Sequence, residues 1–280
     1  MRSQYMVGVT LLVASAVTFS SAGIFTKGVA AGAWEVIFWR GVFAGVFTTG
    51  WIAKRGAVRR EFLKMGKSGI AVAIVLALGT SAFIPAFKFT SIANVSLIYA
   101  VAPLIAAVMA WVLVKEPLTR RVLLGSLVAL VGVLVIVSGS IGELHLRGDL
   151  LALFMTVCMA GVMVIYRMHP ETPGAGPSVL QSLILIVPSL IFGTPFETAP
   201  SEIAILAGFG LLFAIASVTL AEGAKRVPAG QTALLSALET PLAPVLAFLI
   251  FTEVPNQASF VGGAIVLVAV LASIRDEGAG

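Results

Sequence analysis

Long apolar runs follow one another along the chain, with short polar connections between them. A helix needs about 20 apolar residues to cross the hydrocarbon core of a bilayer, and ten runs approach that length. They lie near residues 5–26, 34–53, 69–87, 93–114, 120–142, 149–167, 179–196, 203–222, 229–251 and 258–274. The bilayer core satisfies no open backbone groups, and the runs lack the alternation of membrane strands. The pattern predicts an all-α membrane protein with ten transmembrane helices, in which consecutive helices are antiparallel neighbours.

Composition supports a membrane protein and argues against a soluble one. Of the 280 residues, 59% are hydrophobic and only 11% are charged, against roughly 25% charged residues in soluble domains. The first run starts after Arg2 and continues to about Thr26. Because that is longer than the apolar core of a signal peptide, we expect an uncleaved first helix. The connections leave no room for a soluble domain.

The placement of basic residues predicts the orientation of the chain, because cytoplasmic connections are enriched in Lys and Arg. With a cytoplasmic N-terminus, the outer side receives Lys27, Arg147 and, at the end of the third helix, Lys88. The inner side then receives Arg2, Lys54, Arg55, Arg59, Arg60, Lys64, Lys67, Lys115, Arg120, Arg121, Arg167, Lys225, Arg226 and Arg275. We therefore expect both termini in the cytoplasm, and we interpret the basic excess as orientation rather than nucleic-acid binding.

The chain repeats itself at a shift of 137 residues, the difference between positions 225 and 88. This shift places Lys88 on Lys225, Glu116 on Glu253 and Gly125 on Gly262. It predicts two five-helix repeats, residues 1–142 and 143–280. Because five is odd, the second repeat enters the membrane from the opposite side, as in many secondary transporters.

Lys88 is a charged residue in the apolar stretch FIPAFKFTSIANVSLIYAVAP, residues 83–103. It could extend to the outer headgroups as an anchor. It could also face a water-filled cavity, as intramembrane ionisable groups often do, and pair with a substrate carboxylate. Trp39, Phe87 and Tyr99 are candidate walls of such a cavity, although aromatic residues that face lipid are more common. Its repeat equivalent Lys225, beside Arg226, is typical of a positive-inside anchor.

Other polar residues lie within the predicted spans. Arg40 lies about two turns into the second helix, where it could hold helices together or contact substrate. Glu239 lies about 15 Å into the ninth helix, near the bilayer centre. Pro241 and Pro244 follow it in the same helix, and Pro85 and Pro103 similarly interrupt the third and fourth helices. A kink beside a buried carboxylate suggests a gating or ion-coupling element, with structural packing as the alternative.

Enzymatic and cofactor chemistry finds little support. The single cysteine, Cys158, excludes an internal disulfide, and nothing in the sequence suggests a metal site or a cofactor. Residues 66–69, Gly-Lys-Ser-Gly, match a pattern of intramembrane serine proteases, but such a serine needs a histidine base. His145 and His169 fall in or near connections on opposite sides of the membrane. An intramembrane enzyme is therefore disfavoured, and the absence of a phosphate-binding loop argues against ATP-driven transport.

Residues 98–137, IYAVAPLIAAVMAWVLVKEPLTRRVLLGSLVALVGVLVIV, resemble the signature of the EamA-type domain of the drug/metabolite transporter superfamily. The matching positions are Pro103, Glu116, Gly125 and Gly132. The second half repeats the resemblance at Glu239, Glu253 and Gly262. It departs from the pattern in having Glu239-Thr240-Pro241 where the family has Glu-Pro, and Ala269 where a glycine is usual.

The resemblance implies a ten-helix exporter of small metabolites in the bacterial inner membrane, without hydrolysis of its own. Within the family, the chain looks most like the exporters of aromatic amino acids. We expect a secondary transporter that works by alternating access, in which Lys88 contacts the substrate carboxylate and Trp39, Phe87 and Tyr99 form walls. Pro103, Pro241 and Pro244 would be bending points.

Each alternative function would need a sequence feature that this chain does not clearly show. A carrier of nucleotide sugars or phosphate esters would need a cluster of basic residues in the cavity, and only Lys88 and Arg40 are candidates. A sensor or partner subunit without transport would need a domain that relays a signal, and the chain has none. Ten helices can enclose a site in one chain, which is compatible with a monomer.

Overall fold

The computed structural model describes residues 2–90, 92–138, 146–242 and 257–274, and these residues are helical with short connections and contain no β-strand. The helices are α1 (Arg2–Phe19), α2 (Ala22–Lys27), α3 (Ala33–Lys54), α4 (Gly66–Phe89), α5 (Ile92–Tyr99), α6 (Ala102–Leu113), α7 (Arg120–Val137), α8 (Leu146–Met168), α9 (Gly176–Phe192), α10 (Pro200–Ala224), α11 (Ala229–Ser236) and α12 (Gln257–Ile274). A π-helical turn covers Arg59–Leu63, and a 3₁₀ turn covers Pro195–Glu197.

Five segments of the described chain are long and apolar enough to cross a membrane. They are Ser3–Thr26, Ala33–Lys54, Gly66–Phe89, Leu146–Met168 and Pro200–Ala224. The shorter apolar helices Leu97–Leu113, Gly176–Phe192 and Phe260–Ala272 accompany them. The predicted all-α membrane class is confirmed. Pro85 does not interrupt the third span as expected, because α4 continues through it with the proline ring buried.

Hydrogen bonds between loops and helix ends define two ends of the bundle. At the Trp34 end, where α3 begins, the Glu35 carboxylate accepts a hydrogen bond from the Thr194 N–H after α9, with a distance of 2.7 Å. At the Lys54 end, where α3 finishes, Glu61 accepts hydrogen bonds from the Ala175 and Gly176 N–H groups at the start of α9. Helices α3 and α9 are therefore antiparallel.

Most of the helix packing joins the first half of the chain to the second. Helix α7 packs along α12, α4 along α8, α3 along α9 and α10, and α1 along α10. Helices that are consecutive in sequence contact each other less than expected, because a short connection constrains only their ends. The predicted arrangement of consecutive neighbours is therefore wrong for the long helical surfaces.

Glycine allows α7 and α12 to approach closely. A Cβ atom on Gly132 would lie 2.8 Å from the carbonyl oxygen of Gly262, and a Cβ on Gly125 would lie 3.7 Å from the carbonyl oxygen of Ala269. As residue numbers increase along α7, the residue numbers of their contacts on α12 decrease, so the two helices are antiparallel. Small residues at such crossings bring two backbones together and increase the packed contact within a bilayer.

The same contacts are related by the sequence repeat. A shift of 137 residues carries Gly125 to Gly262 and Gly132 to Ala269, so it converts one contact of this helix pair into the other. On α3 and α9, a Cβ on Gly45 would lie 3.8 Å from the Cβ of Ser182. Gly45 and Ser182 are equivalent to each other at the shift of 137 residues. The packing at both crossings therefore follows the repeat.

Candidate functional site

Two helices are broken at equivalent positions in the two halves. Helix α5 ends at Tyr99 and α6 begins at Ala102, with Ala100 and Val101 in a turn. Helix α11 ends at Ser236, Ala237 and Leu238 form a turn, and residues 239–242 are helical again. Both turns lie at the same place in the repeat. Paired discontinuous helices of this kind point to the binding sites of membrane transporters.

The backbone hydrogen bonds at the two breaks are also equivalent. The Val101 N–H donates to the Ile98 carbonyl, and the Leu238 N–H donates to the Leu235 carbonyl, each at 3.2 Å and each one residue shorter than an α-helical bond. Pro103 follows the first break and Pro241 the second, and neither supplies an N–H to bridge it. Pro241 lies one residue later than the proline of the Glu-Pro pattern, yet the second break still lies 137 residues after the first. Pro244, the third predicted bending point, lies outside the described residues.

Tyr99 and Glu239 flank the two breaks from opposite halves of the chain. Tyr99 ends α5 and is 9% exposed. Glu239 lies directly after the second break. Ala100 of the first break and Leu238 of the second belong to one buried apolar cluster, so the bundle brings the two breaks together although they are far apart in sequence.

The predicted aromatic walls fall into two adjoining clusters. Phe87 is buried in one cluster with Tyr99 and Met155. Trp39 belongs to the neighbouring cluster, and Phe83 packs against both. The indole N–H of Trp39 donates to the Pro195 carbonyl at 2.8 Å, which holds that ring at the Trp34 end. The structure thus places Phe87 and Tyr99 in the same cluster, and Phe83 connects that cluster to the one that contains Trp39.

Lys88 and Lys225 occupy equivalent places but different environments. The Lys88 side chain is exposed, and its ammonium lies 3.5 Å from the Val29 carbonyl oxygen at the Trp34 end. Lys225 is 8% exposed, and its ammonium lies 2.6 Å from the Glu222 carboxylate and 5.8 Å from the centre of the Tyr166 ring. Lys225 is therefore a buried ion-pair partner at the Lys54 end, and its ammonium does not extend to the lipid headgroups.

Arg40 lies inside the bundle between α3 and α10. It is 1% exposed, and its guanidinium carbon lies 3.9 Å from the centre of the Phe213 ring and 5.6 Å from that of Phe209. Its Nε has no hydrogen-bond partner among the described residues. Aromatic faces attract such a cation, although they replace water incompletely.

Sequence reasoning missed two polar contacts between the halves, here called the latches. At the Trp34 end, Asp149 of α8 accepts hydrogen bonds from Thr90 at 2.9 Å and from Asn94 at 3.4 Å. At the Lys54 end, the Tyr5 hydroxyl of α1 donates to Gln231 at 3.1 Å. Asn94 and Gln231 are equivalent at the shift of 137, and a pair of amides at that shift was the signal in the sequence.

Charged residues reinforce the contacts at both ends. At the Lys54 end, Glu116 pairs with Arg167, and its other carboxylate oxygen accepts a hydrogen bond from the Ala229 N–H at 3.4 Å. At the Trp34 end, Glu202 accepts hydrogen bonds from the Ala30 and Ala31 N–H groups. Each end is therefore held by side chains that can separate without breaking the helices.

Two features bear on the enzymatic alternative. The Ser68 hydroxyl hydrogen-bonds the Thr172 hydroxyl at 2.7 Å, and the Nδ1 atom of His169 pairs with Glu171. His145, like Glu253 of the predicted repeat, lies outside the described residues. No group of three or more potential metal ligands occurs in the described part of the chain.

Long apolar helices, paired helix breaks and polar latches at both ends define a polytopic helical membrane protein with a two-part bundle. The chain belongs to the EamA-like transporter family, whose model matches residues 6–138 and again residues 146–275. The protein is therefore a membrane transporter of the drug/metabolite transporter superfamily, and this family membership points away from an enzyme.

Similar proteins agree with this class. The uncharacterized transporter YyaM of Bacillus subtilis (strain 168) is 26% identical over 249 residues, covering 83% of this chain and 81% of that protein. A solved crystal structure matches with a TM-score of 0.81 at 18% identity, covering 97% of each chain. At that identity the likeness concerns the fold alone.

Proposed function

We propose that the protein is a secondary transporter that exports amino acids, with aromatic ones favoured, across the bacterial inner membrane. The observation that carries this proposal is the pair of equivalent helix breaks flanked by Tyr99 and Glu239. A break frees backbone groups that a substrate can bind, and the adjoining Phe83 and Phe87 rings offer an apolar surface for an aromatic side chain.

The proposed architecture has ten transmembrane helices in two inverted repeats, residues 1–142 and 143–280. The antiparallel crossing of α7 and α12, with contacts that follow the shift of 137, supports the inversion. Exposed cations at the Lys54 end include Lys54, Arg59, Lys64, Lys115 and Arg120. This bias supports a cytoplasmic Lys54 end and hence two cytoplasmic termini. Ten helices are enough to enclose a site within one chain, so the proposed transporter is a monomer.

The proposed mechanism is alternating access controlled by the two latches. Opening of the Asp149 latch exposes the helix breaks to the outer side, and opening of the Gln231 latch exposes them to the cytoplasm. Because each latch joins one half to the other, the halves can rock around the central breaks. Pro103, Pro241 and Pro244 would act as bending points of the helices that move.

In this mechanism, the Lys88 ammonium binds the substrate carboxylate. It lies one residue after Phe87, which belongs to the same buried cluster as Tyr99, so the charge is close to that cluster. An exposed ammonium at the Trp34 end would meet the substrate carboxylate as it leaves, and a charged hydrogen bond there would fix its orientation.

The test is uptake of labelled amino acids by proteoliposomes that contain wild type, Lys88→Ala or Arg147→Ala. Arg147 is a matched control, because it is exposed and lies beside the Thr90 end of α4. We expect wild type and Arg147→Ala to transport phenylalanine, tyrosine or tryptophan, and Lys88→Ala to lose about tenfold or more in uptake at low substrate, as for one charged hydrogen bond.

Two other outcomes contradict parts of this proposal. Equal uptake by Lys88→Ala and wild type would make Lys88 a headgroup anchor and remove the site assignment. Failure of folded wild type to move any amino acid would remove the substrate class and leave the transporter family.

A further inference from the structure

The connection between α3 and α4 carries an unusual density of exposed positive charge. All six of its basic residues face outward: Lys54, Arg55, Arg59, Arg60, Lys64 and Lys67. The stretch from 54 to 67 contains one acidic residue, Glu61. Blocks of cations directly beside a transmembrane helix attract anionic lipid surfaces, whereas a mixed-charge loop would not.

The single acid of this connection is turned away from the charged surface. Glu61 is 8% exposed, and one of its carboxylate oxygens accepts hydrogen bonds from the N–H groups of Ala175 and Gly176 at 3.0 and 2.9 Å. The carboxylate thereby caps the start of α9, where free N–H groups and the helix dipole favour a negative charge. The outward surface is left with cations that no acid of the same stretch neutralises.

Apolar side chains are interleaved with the exposed cations. Leu63 is 79% exposed and Val58 is 47% exposed, on either side of Arg59 and Arg60. The guanidinium of Arg55 lies 4.6 Å from the centre of the Trp51 ring, at the end of α3. Tryptophan prefers the headgroup level, and alternating basic and large apolar residues are typical of segments that lie in the membrane interface.

We propose that residues 54–67 form a binding surface for the headgroups of anionic phospholipids in the leaflet at the Lys54 end. Arg59, Arg60 and Lys64 bind the lipid phosphate oxygens, and Val58 and Leu63 insert among the first acyl carbons. Glu61 positions the surface by attaching the π-helical turn to α9. Substrate recognition uses other residues, so this lipid site is independent of the proposed export activity.

The test counts lipids bound to the purified full-length protein by native mass spectrometry during titration with dioleoyl phosphatidylglycerol or dioleoyl phosphatidylcholine. Four proteins are compared: wild type, Arg59→Gln/Arg60→Gln, Arg59→Lys/Arg60→Lys, and the control Lys115→Gln/Arg120→Gln. The control removes two exposed cations from the next connection at the same end. Each cation in contact with the bound headgroup contributes about fivefold in affinity, so loss of Arg59 and Arg60 should weaken phosphatidylglycerol binding about 25-fold, whereas Lys115 and Arg120 lie outside the proposed surface.

The proposal expects the lysine variant and the control to keep wild-type binding of phosphatidylglycerol, and all four proteins to bind phosphatidylcholine equally. It is overturned if Arg59→Gln/Arg60→Gln binds phosphatidylglycerol as wild type does, or if the control weakens binding by the same factor. Displacement of the bound lipid by equimolar inorganic phosphate would also overturn it, since the site would then recognise free phosphate rather than a lipid.

Discussion

Arg40 illustrates the cost of a charge inside the bundle. Its guanidinium stacks on Phe213, and no acidic side chain in the described part of the chain pairs with it. Desolvation of an unpaired cation is unfavourable, and a cation–π contact returns only about 2 kcal/mol. The stem of the side chain fills space between α3 and α10, so its packing is favourable while its charge is not.

Substitution at Arg40 separates these two contributions. We expect Arg40→Met to unfold at the same or a higher temperature than wild type, because it keeps the stem and removes the buried charge. Arg40→Lys should lower the free energy of unfolding by about 1 kcal/mol and hence the unfolding temperature, since an ammonium cannot stack as a planar guanidinium does. Thermal unfolding in detergent gives the order, and a methionine variant less stable than the lysine variant would contradict this account.

Glu239 is a second residue whose substitution is informative, because its position beside a helix break makes it the candidate for ion coupling. If it carries the coupled proton, Glu239→Gln should abolish accumulation driven by an imposed pH gradient and preserve exchange of labelled for unlabelled substrate. Glu197→Gln, an exposed acid at the Trp34 end, is the control and should retain both activities. Gradient-driven accumulation by Glu239→Gln at the wild-type level would exclude this role.

Helices show how far the sequence pattern alone reaches. Apolar runs locate α3, α4, α8 and α10 closely, because burial in lipid demands continuous apolar length. The breaks after Tyr99 and Ser236 follow from Pro103 and Pro241 only approximately, since α4 shows that a proline can lie in an unbroken helix. What decides between the two outcomes is the packing around each proline, which a single sequence does not contain.

The crossing of α7 and α12 depends on the absence of side chains. Gly132→Ala would place a methyl group 2.8 Å from the Gly262 carbonyl oxygen and 3.0 Å from the Val266 nitrogen, so the helices must separate. We expect a loss of about 1–3 kcal/mol of stability, as for other overpacked sites, measured by thermal or denaturant unfolding.

Gly50→Ala is the matched control for this crossing, because nothing lies within 4 Å of a Cβ at that helical position. It should leave stability unchanged or raise it by up to about 1 kcal/mol, the usual preference of a helix for alanine. Equal effects of the two substitutions would show that helix propensity, and not the close approach of α7 to α12, is responsible.

At the scale of the molecule, the latches predict opposite changes in access. In a Cys158→Ser background with a reporter Ala100→Cys, Asp149→Asn weakens the latch at the Trp34 end and should increase labelling by a membrane-impermeant reagent added outside cells. Tyr5→Phe weakens the latch at the Lys54 end and should decrease that labelling. Differences of about threefold to tenfold are expected for the loss of one hydrogen bond.

The labelling experiment also tests the orientation of the chain. Opposite responses in intact cells support an outer Trp34 end, and a reversal of both responses would place the Lys54 end outside. Identical labelling of the two variants and of the background protein would mean that the latches do not control access.

Some contacts of the whole molecule could be predicted and others could not. Glu222 precedes Lys225 by three residues and Arg226 by four, so their ion pairs were visible as helical spacings. The shift of 137 likewise places Asn94 on Gln231, a pair of amides from which the latches could have been predicted. The pairing of α4 with α8 and of α1 with α10 was not visible, because hydrophobic periodicity reports how much surface is buried and not which surface covers it.

The packing of each half on the other has a consequence for biosynthesis. When the ribosome has delivered α1, α3 and α4 to the membrane, the helices that will cover their longest packed faces have not yet been made. Newly inserted segments must therefore wait, exposed to membrane proteases and to other nascent chains, until α8, α9 and α10 arrive. Because α7 obtains its main partner only with α12, this helix pair forms after α8, α9 and α10 have been inserted.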